Sequence, residues 1–184
     1  MDTRERLIES TRELLWERGY VATSPKAIQE RAAAGQGSMY HHFSGKPELA
    51  MAAIRRSAAE RQAGADHDLE LPGTAFERVA RYLGRERDVL KGCPIGRLTQ
   101  DPEVVAAPEL REPVDEMFSW MRSRIAGVIA SELPPELDPA DIAATIVAVL
   151  QGGYVLARAA GDAEPFDRAI RGALALLKHT LDSA

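Results

Sequence analysis

The segment that most limits what this chain can fold into is residues 24–46, SPKAIQERAAAGQGSMYHHFSGK. Proline is tolerated at the first position of a helix because its missing N–H has no partner to lose there, and a serine just before it is a good N-cap. Ser24-Pro25 therefore predicts a short helix over residues 25–32, with Ile28 and Ala32 on its buried face. Ala33-Ala34-Gly35 follow as a turn, with Gly35 expected to supply a left-handed residue, since glycine enters that region without steric cost. Residues 36–42 read as a second short helix, too polar to be a core helix. Gln36, Ser38, Tyr40, His41 and His42 can donate to phosphates or base edges, and Gly37 lets the backbone approach closely. Two short helices joined by a tight turn fit a helix-turn-helix, whose second helix enters the DNA major groove. Ser24 and Lys26 open the first of these helices, and Lys46 opens the helix that follows, where its charge and the helix N-terminus both favour a phosphate.

The rest of the chain reads as further helices. Over residues 3–18, Leu7, Ile8, Thr11, Leu14 and Leu15 recur at helical spacing, Asp2 and Glu5 form a capping-box pattern, and Gly19 stops the run. Met39 and Phe43 are the side chains expected to anchor the second short helix to this first one. A fourth helix is expected to run to about residue 62 with Leu49, Ala50, Ala53 and Ile54 inward, followed by a polar loop over 64–73. Thr74 and Glu77 make another capping box, opening a helix that carries Phe76, Val79, Ala80 and Leu83. Residues 91–101 read as a break and a short helix, and the Pro-rich stretch 102–113 as irregular. A long amphipathic helix spans about 111–132. Asp138 caps, and Pro139 begins, a nearly all-apolar helix ending at Gly161, and a last helix covers 165–181. No stretch alternates as a strand does. The fold class is all-α, about nine helices, divided into a helix-turn-helix domain over 1–46 and a larger helical domain over 47–184.

The run Thr23-Ser24, Ile28, Ala32, Gly37-Ser38-Met39-Tyr40-His41-His42-Phe43, Lys46 and Leu49, with Ile8, Leu15 and Gly19-Tyr20 upstream, resembles the DNA-binding signature of the tetracycline-repressor (TetR) family. The resemblance covers roughly the first fifty residues. The family usually has Gly-Val-Ser in the turn where this chain has Ala33-Ala34-Gly35, and Gln29 stands where Ala is common. Further on, Gly92-Cys93-Pro94 and the run 151–159, QGGYVLARA, resemble a subgroup of multidrug- and flavonoid-responsive repressors. The resemblance implies a regulator that binds double-stranded operator DNA as a homodimer and is released by a small effector bound within the C-terminal bundle.

Charge is compatible with that expectation only through its distribution. The whole chain has a formal net charge of −5, which by itself argues against nucleic acid. Residues 1–62, however, hold ten Lys/Arg against eight Asp/Glu, while residues 63–184 hold thirteen against twenty. A protein coating DNA without regard to sequence would need far more basic charge. A dimer presenting a few polar groups to each half-site needs less. The single cysteine fits a reducing cytoplasm and excludes an internal disulfide framework. No apolar run approaches about 20 residues, so no membrane span is expected.

Other chemistries find little support. His41 and His42 are adjacent and point about 100° apart on a helix, so they do not share a metal ion readily, and no cofactor is called for. Neither paired carboxylates nor a nucleophilic triad suggests an enzyme. Cys93 stands at the start of a short helix, where a thiol pKa can fall, which leaves a thiol-based electrophile or redox sensor as an alternative to a small buried hydrophobe.

For the effector, a mostly apolar or aromatic guest is expected, because aromatic and methionine side chains can line a pocket and thioether side chains adapt to varied apolar ligands. The candidate lining is Tyr82, Cys93, Leu98, Met117, Trp120, Met121, Val147, Gln151 and Tyr154. For the dimer, the last two helices are apolar and rich in small residues, and Ile146, Leu150, Gly153, Ala157, Ile170, Ala173, Leu174 and Leu177 are the expected four-helix seam.

Overall fold

A computed structural model describes residues 1–183, and its regular structure is helical throughout. The order is α1 (Thr3–Arg18), α2 (Pro25–Ala32), α3 (Gln36–His42), α4 (Lys46–Glu70), α5 (Ala75–Gly84), a 3-10 helix (Gly96–Gln100), α6 (Pro102–Ala106), α7 (Pro108–Ile129), α8 (Pro139–Ala160) and α9 (Glu164–Leu181). The all-α expectation therefore holds, with nine α-helices among the described residues.

By packing the chain divides into two compact units. The first comprises Met1–Glu60 and Cys93–Met117, and the second Arg61–Gly92 and Phe118–Ala184. Within the first, α1, α2 and α3 pack on one another. Leu7, Leu14, Ile28, Met39, Leu49 and Ile54 are fully buried and form its core. Polar contacts fix the helices at their edges. Arg31 on α2 pairs with Glu17 on α1 at 2.8 Å, and Arg6 donates to the carbonyl of Ala32 at 3.1 Å, satisfying the C-terminus of α2. Arg12 pairs with Glu9 and Glu60, and Arg56 with Glu5 at 2.9 Å, joining α1 to the first half of α4. In the second unit α8 packs on α9 and α9 on α5.

Several boundaries differ from the sequence expectation, each for an identifiable reason. Asp2 caps α1 as expected, accepting from the N–H of Glu5 at 2.8 Å, but Glu5 turns its carboxylate to Arg56 and Arg4 instead of closing a capping box. Helix α4 does not stop near residue 62. It runs on through Gly64 to Glu70, so the expected loop over 64–73 shrinks to its last few residues. Ala65 and Leu69, four apart, are fully buried, and Arg124 holds Asp66 at 2.6 Å and Glu70 at 2.7 Å. Packing and ion pairing offset the roughly 1 kcal/mol that a mid-helix glycine costs.

The stretch 102–113 is helical, not irregular. Asp101 accepts from the N–H of Glu103 to cap α6, and Pro102 and Pro108 each occupy a first helical position, where proline is tolerated. Helix α8 begins and ends as expected, at the Asp138 cap and at left-handed Gly161. It is also long and apolar enough, by length and composition alone, to cross a membrane, contrary to the expectation of no such run. Its inner face, Ala143, Ile146, Val147, Leu150, Tyr154 and Ala157, is buried at core spacing.

Candidate nucleic-acid interface

The interface is built on the turn between α2 and α3. Ser24 caps α2 by accepting from Ala27 N–H at 3.1 Å. At the other end Ala34 N–H reaches back to the carbonyl of Gln29 at 3.0 Å, a closure that needs a left-handed residue between them. That residue is Ala33, with φ 48° and ψ 47°, and not Gly35 as expected from sequence. Gly35 is extended, with φ −71° and ψ 158°, because it serves as the N-cap of α3. The turn thus places an alanine where glycine would be less strained.

Helix α3 is attached by one side. Met39 is fully buried and Phe43 nearly so, with Arg4 stacked 5.4 Å from the centre of the Phe43 ring. These are the two anchors expected from sequence. The opposite side faces solvent. Gln36, Gly37, Tyr40 and His41 are exposed, Ser38 and His42 partly so, and nothing lies within 4 Å of a Cβ built on Gly37. Tyr40 is an aromatic side chain left 50% exposed. Ser24 and Lys26 are exposed at the start of α2, with Lys26 3.8 Å from Glu30. The rings of His41 and His42 meet edge to face at 5.0 Å. Among the described residues no group of three or more His, Cys, Asp or Glu side chains is arranged to hold a metal.

Lys46 sits differently from its companions. It is half-buried, with Nζ 3.8 Å over the Tyr20 ring. Burial pushes its pKa down, and the nearby Glu103 and Asp101 oppose that shift. The start of α4 is held by Glu48, which accepts from both the N–H and the hydroxyl of Ser44 at 2.7 Å; these bonds keep its carboxyl below the usual range.

The nine residues expected around an effector fall in both units. Cys93, Leu98 and Met117 belong to the first, and Tyr82, Trp120, Met121, Val147, Gln151 and Tyr154 to the second. In the second unit Tyr82, Met121, Val147 and Tyr154 are buried, while Trp120 and Gln151 are half-buried. Tyr154 meets Phe166 at 4.9 Å between ring centres. A residue missed from sequence is Arg87. Its guanidinium donates to the carbonyls of Tyr82, Leu83 and Arg85, and lies 5.3 Å from the centre of the Tyr82 ring. Burial pulls its pKa down, opposed by Tyr154 and Tyr82. Its place in a loop, outside any periodic pattern, concealed it. In the first unit Cys93 is half-buried and its sulfur accepts from Gly96 N–H at 3.2 Å.

Of the residues expected at a dimer seam, Ile146, Leu150, Gly153, Ala157, Ile170 and Leu177 are buried within the single chain, while Ala173 and Leu174 are half-exposed. A Cβ on Gly153 would lie 3.0 Å from the Phe166 ring, so this glycine serves the packing of α8 on α9. The apolar side chains left outside are Val155 (63% exposed), Leu156 (55%) and Leu176 (72%), with Gly152 and Gly172 open beside them.

Comparison with known proteins finds two family matches along the chain. A family model described as bacterial regulatory proteins, tetR family, matches residues 7–53, and one described as the C-terminal domain of LmrA/YxaF-like transcriptional regulators matches residues 73–172. An HTH-type transcriptional regulator in the lacX 3′ region of Lactococcus lactis subsp. lactis is 25% identical over 171 residues, 88% of this chain and 86% of that protein. The HTH-type transcriptional repressor KstR of Mycobacterium tuberculosis is 26% identical over 138 residues, 73% of this chain and 62% of that protein. A TetR transcriptional regulator from Chloroflexus aurantiacus superposes with a TM-score of 0.84 at 25% identity, over 96% of this chain and 94% of the other.

Proposed function

Because the chain belongs to the TetR family of bacterial transcriptional regulators, with a C-terminal domain of the LmrA/YxaF-like type, we propose that it is a homodimeric repressor released from a near-palindromic operator by a small apolar or aromatic effector. The observation that carries the DNA half of this reading is α3. It is seven residues long, buried through Met39, and otherwise exposes amide, hydroxyl, phenol and imidazole groups. A core helix would not carry them. Functionally, residues 1–46 are the reading head and residues 47–184 carry effector binding and dimerisation. The protein acts in the cytoplasm and catalyses nothing.

Selection of binding sequences from random duplex DNA, followed by gel-shift titration, tests this reading. Tyr40→Ala and Lys26→Ala should weaken binding to selected and scrambled duplexes alike, because phosphate contacts carry no base identity. Gln36→Ala should weaken only the selected duplex, by about 1–3 kcal/mol. Equal losses on both duplexes would remove Gln36 from the base-reading role.

Two copies are needed because one head reads a single half-site. The open stripe of Gly152, Val155, Leu156, Gly172 and Leu176 is the surface proposed to meet its counterpart, with Ala173 and Leu174 at its edge. For the effector, the second unit offers Tyr82, Trp120, Met121, Val147, Gln151 and Tyr154, apolar walls with a few polar groups to orient a guest. A ligand that binds the released conformation about 100-fold better shifts the equilibrium by about 2.7 kcal/mol. The thiol alternative rests on Cys93 being half-buried, with the Gly96 N–H directed at its sulfur. Cys93→Ser separates the two schemes. Neutral aromatic compounds should still release the variant from DNA, and release by oxidant alone, abolished in the variant, would favour the sensor.

A further inference from the structure

We infer that Asp101 is a positioning residue for the reading head: its carboxylate is the tie that fixes the α1–α2 turn, and with it α2 and α3, against the segment that carries the 3-10 helix and α6. The inference rests on the DNA-binding reading above and adds to it the residue that orients the head. Asp101 is 8% exposed. One carboxylate oxygen, Oδ2, accepts from the N–H groups of Tyr20 at 2.7 Å and Val21 at 2.9 Å, across 81 and 80 positions of sequence. The other, Oδ1, accepts from Glu103 N–H at 3.2 Å. Its own N–H donates to the carbonyl of Leu98 at 3.1 Å, and its carbonyl accepts from Val105 N–H at 3.0 Å. The carboxylate thus joins the start of α6 to the turn, while the backbone of Asp101 is held by the 3-10 helix and α6.

Hydrogen bonds to an ionised acceptor are about twice as strong as neutral ones, and a buried carboxylate deprived of them would be costly. The turn is shaped to receive the group. Gly19 has φ 81°, and a Cβ there would stand 3.2 Å from Oδ2, so glycine both takes the required conformation and leaves room for the approach. From the turn the restraint passes directly into the head. Thr23 donates its hydroxyl to the carbonyl of Gly19 at 2.6 Å and its N–H to that of Tyr20 at 3.1 Å, and the next residue, Ser24, caps α2. Lys46, the first residue of α4, lies over the Tyr20 ring. The tie therefore touches the starts of both helices that flank α3. Asp101 lies within the match to the C-terminal family model, and Tyr20 and Val21 within the match to the N-terminal one.

The test uses full-length protein and a duplex selected from random DNA by the wild type, together with the same duplex lengthened by one base pair between its half-sites. Circular dichroism checks that each variant keeps its helices. The wild type should prefer the original spacing at least tenfold. Asp101→Ala should reduce that preference to threefold or less and speed hydrogen exchange at the Tyr20 and Val21 amides at least tenfold. Asp101→Asn keeps one acceptor oxygen for the two amides and should fall between them on both readouts, which also keeps the test usable if the alanine variant does not fold. A role in stability alone would lower affinity for both duplexes equally and leave the ratio at its wild-type value, and that result overturns the inference. So does a lost preference with unchanged exchange at Tyr20 and Val21. Failure of the wild type to enrich any sequence would instead strike the DNA-binding reading itself, and the inference with it.

Discussion

Ala33 holds the left-handed position that closes α2. For a residue with a Cβ this conformation costs roughly 1–2 kcal/mol, whereas glycine adopts it freely. Ala33→Gly should therefore stabilise the protein by about 1 kcal/mol, less the entropy that glycine adds to the unfolded chain. Urea unfolding should show a higher midpoint at an unchanged slope, with DNA affinity altered less than about twofold. A lower midpoint would mean that the turn is not strained by alanine. Lys46 illustrates a different effect at the same scale. Its type and position suggested an open phosphate contact, but the Tyr20 ring lies beneath its ammonium, so any approach to DNA competes with that stacking.

Helices α8 and α9 each have two apolar faces, and the two should respond differently to substitution. The inner faces meet within one chain, where the Gly153 backbone lies against Phe166. Gly153→Leu should overpack that contact and lower stability by about 1–3 kcal/mol, seen as a lower Tm in thermal unfolding. The outer stripe is exposed in the single chain. Leu156→Glu combined with Leu176→Glu should leave the monomer helical but place unpaired charge in the seam proposed between copies. Sedimentation should then give monomers at concentrations where the wild type is dimeric. If the doubly substituted protein stays dimeric, the two copies meet elsewhere.

For the whole molecule the decisive quantity is where charge lies. The chain as a whole carries −5, while residues 1–62 carry a net positive charge, so long-range attraction to DNA is weak and local contacts matter most. With a few phosphates met by each of two heads, the logarithm of affinity should fall with the logarithm of salt concentration at a slope of about −4 to −7. Fluorescence anisotropy over 50–300 mM salt measures it. A slope near zero would contradict groove binding by α3, and one far steeper would indicate binding without regard to sequence.

The sequence by itself determined whatever depends on neighbours in the chain. Ser24-Pro25, Thr74 with Glu77, Asp138-Pro139, Gly19 and Gly161 set helix ends through local caps and backbone preferences, and these ends stand as read. Met39 and Phe43, expected as the anchors of α3, are buried. Only the tertiary structure could decide the rest, because it turns on partners far along the chain. Gly64 reads as a helix breaker until Arg124 is seen holding Asp66 and Glu70 beyond it. An apolar helix with small residues on every side, such as α8, does not reveal which face its own chain covers and which it leaves open. Asp101 caps α6, a helix that begins in the stretch the sequence reads as irregular. Its bonds to Tyr20 and Val21, eighty residues away, exist only because folding brings the turn to it.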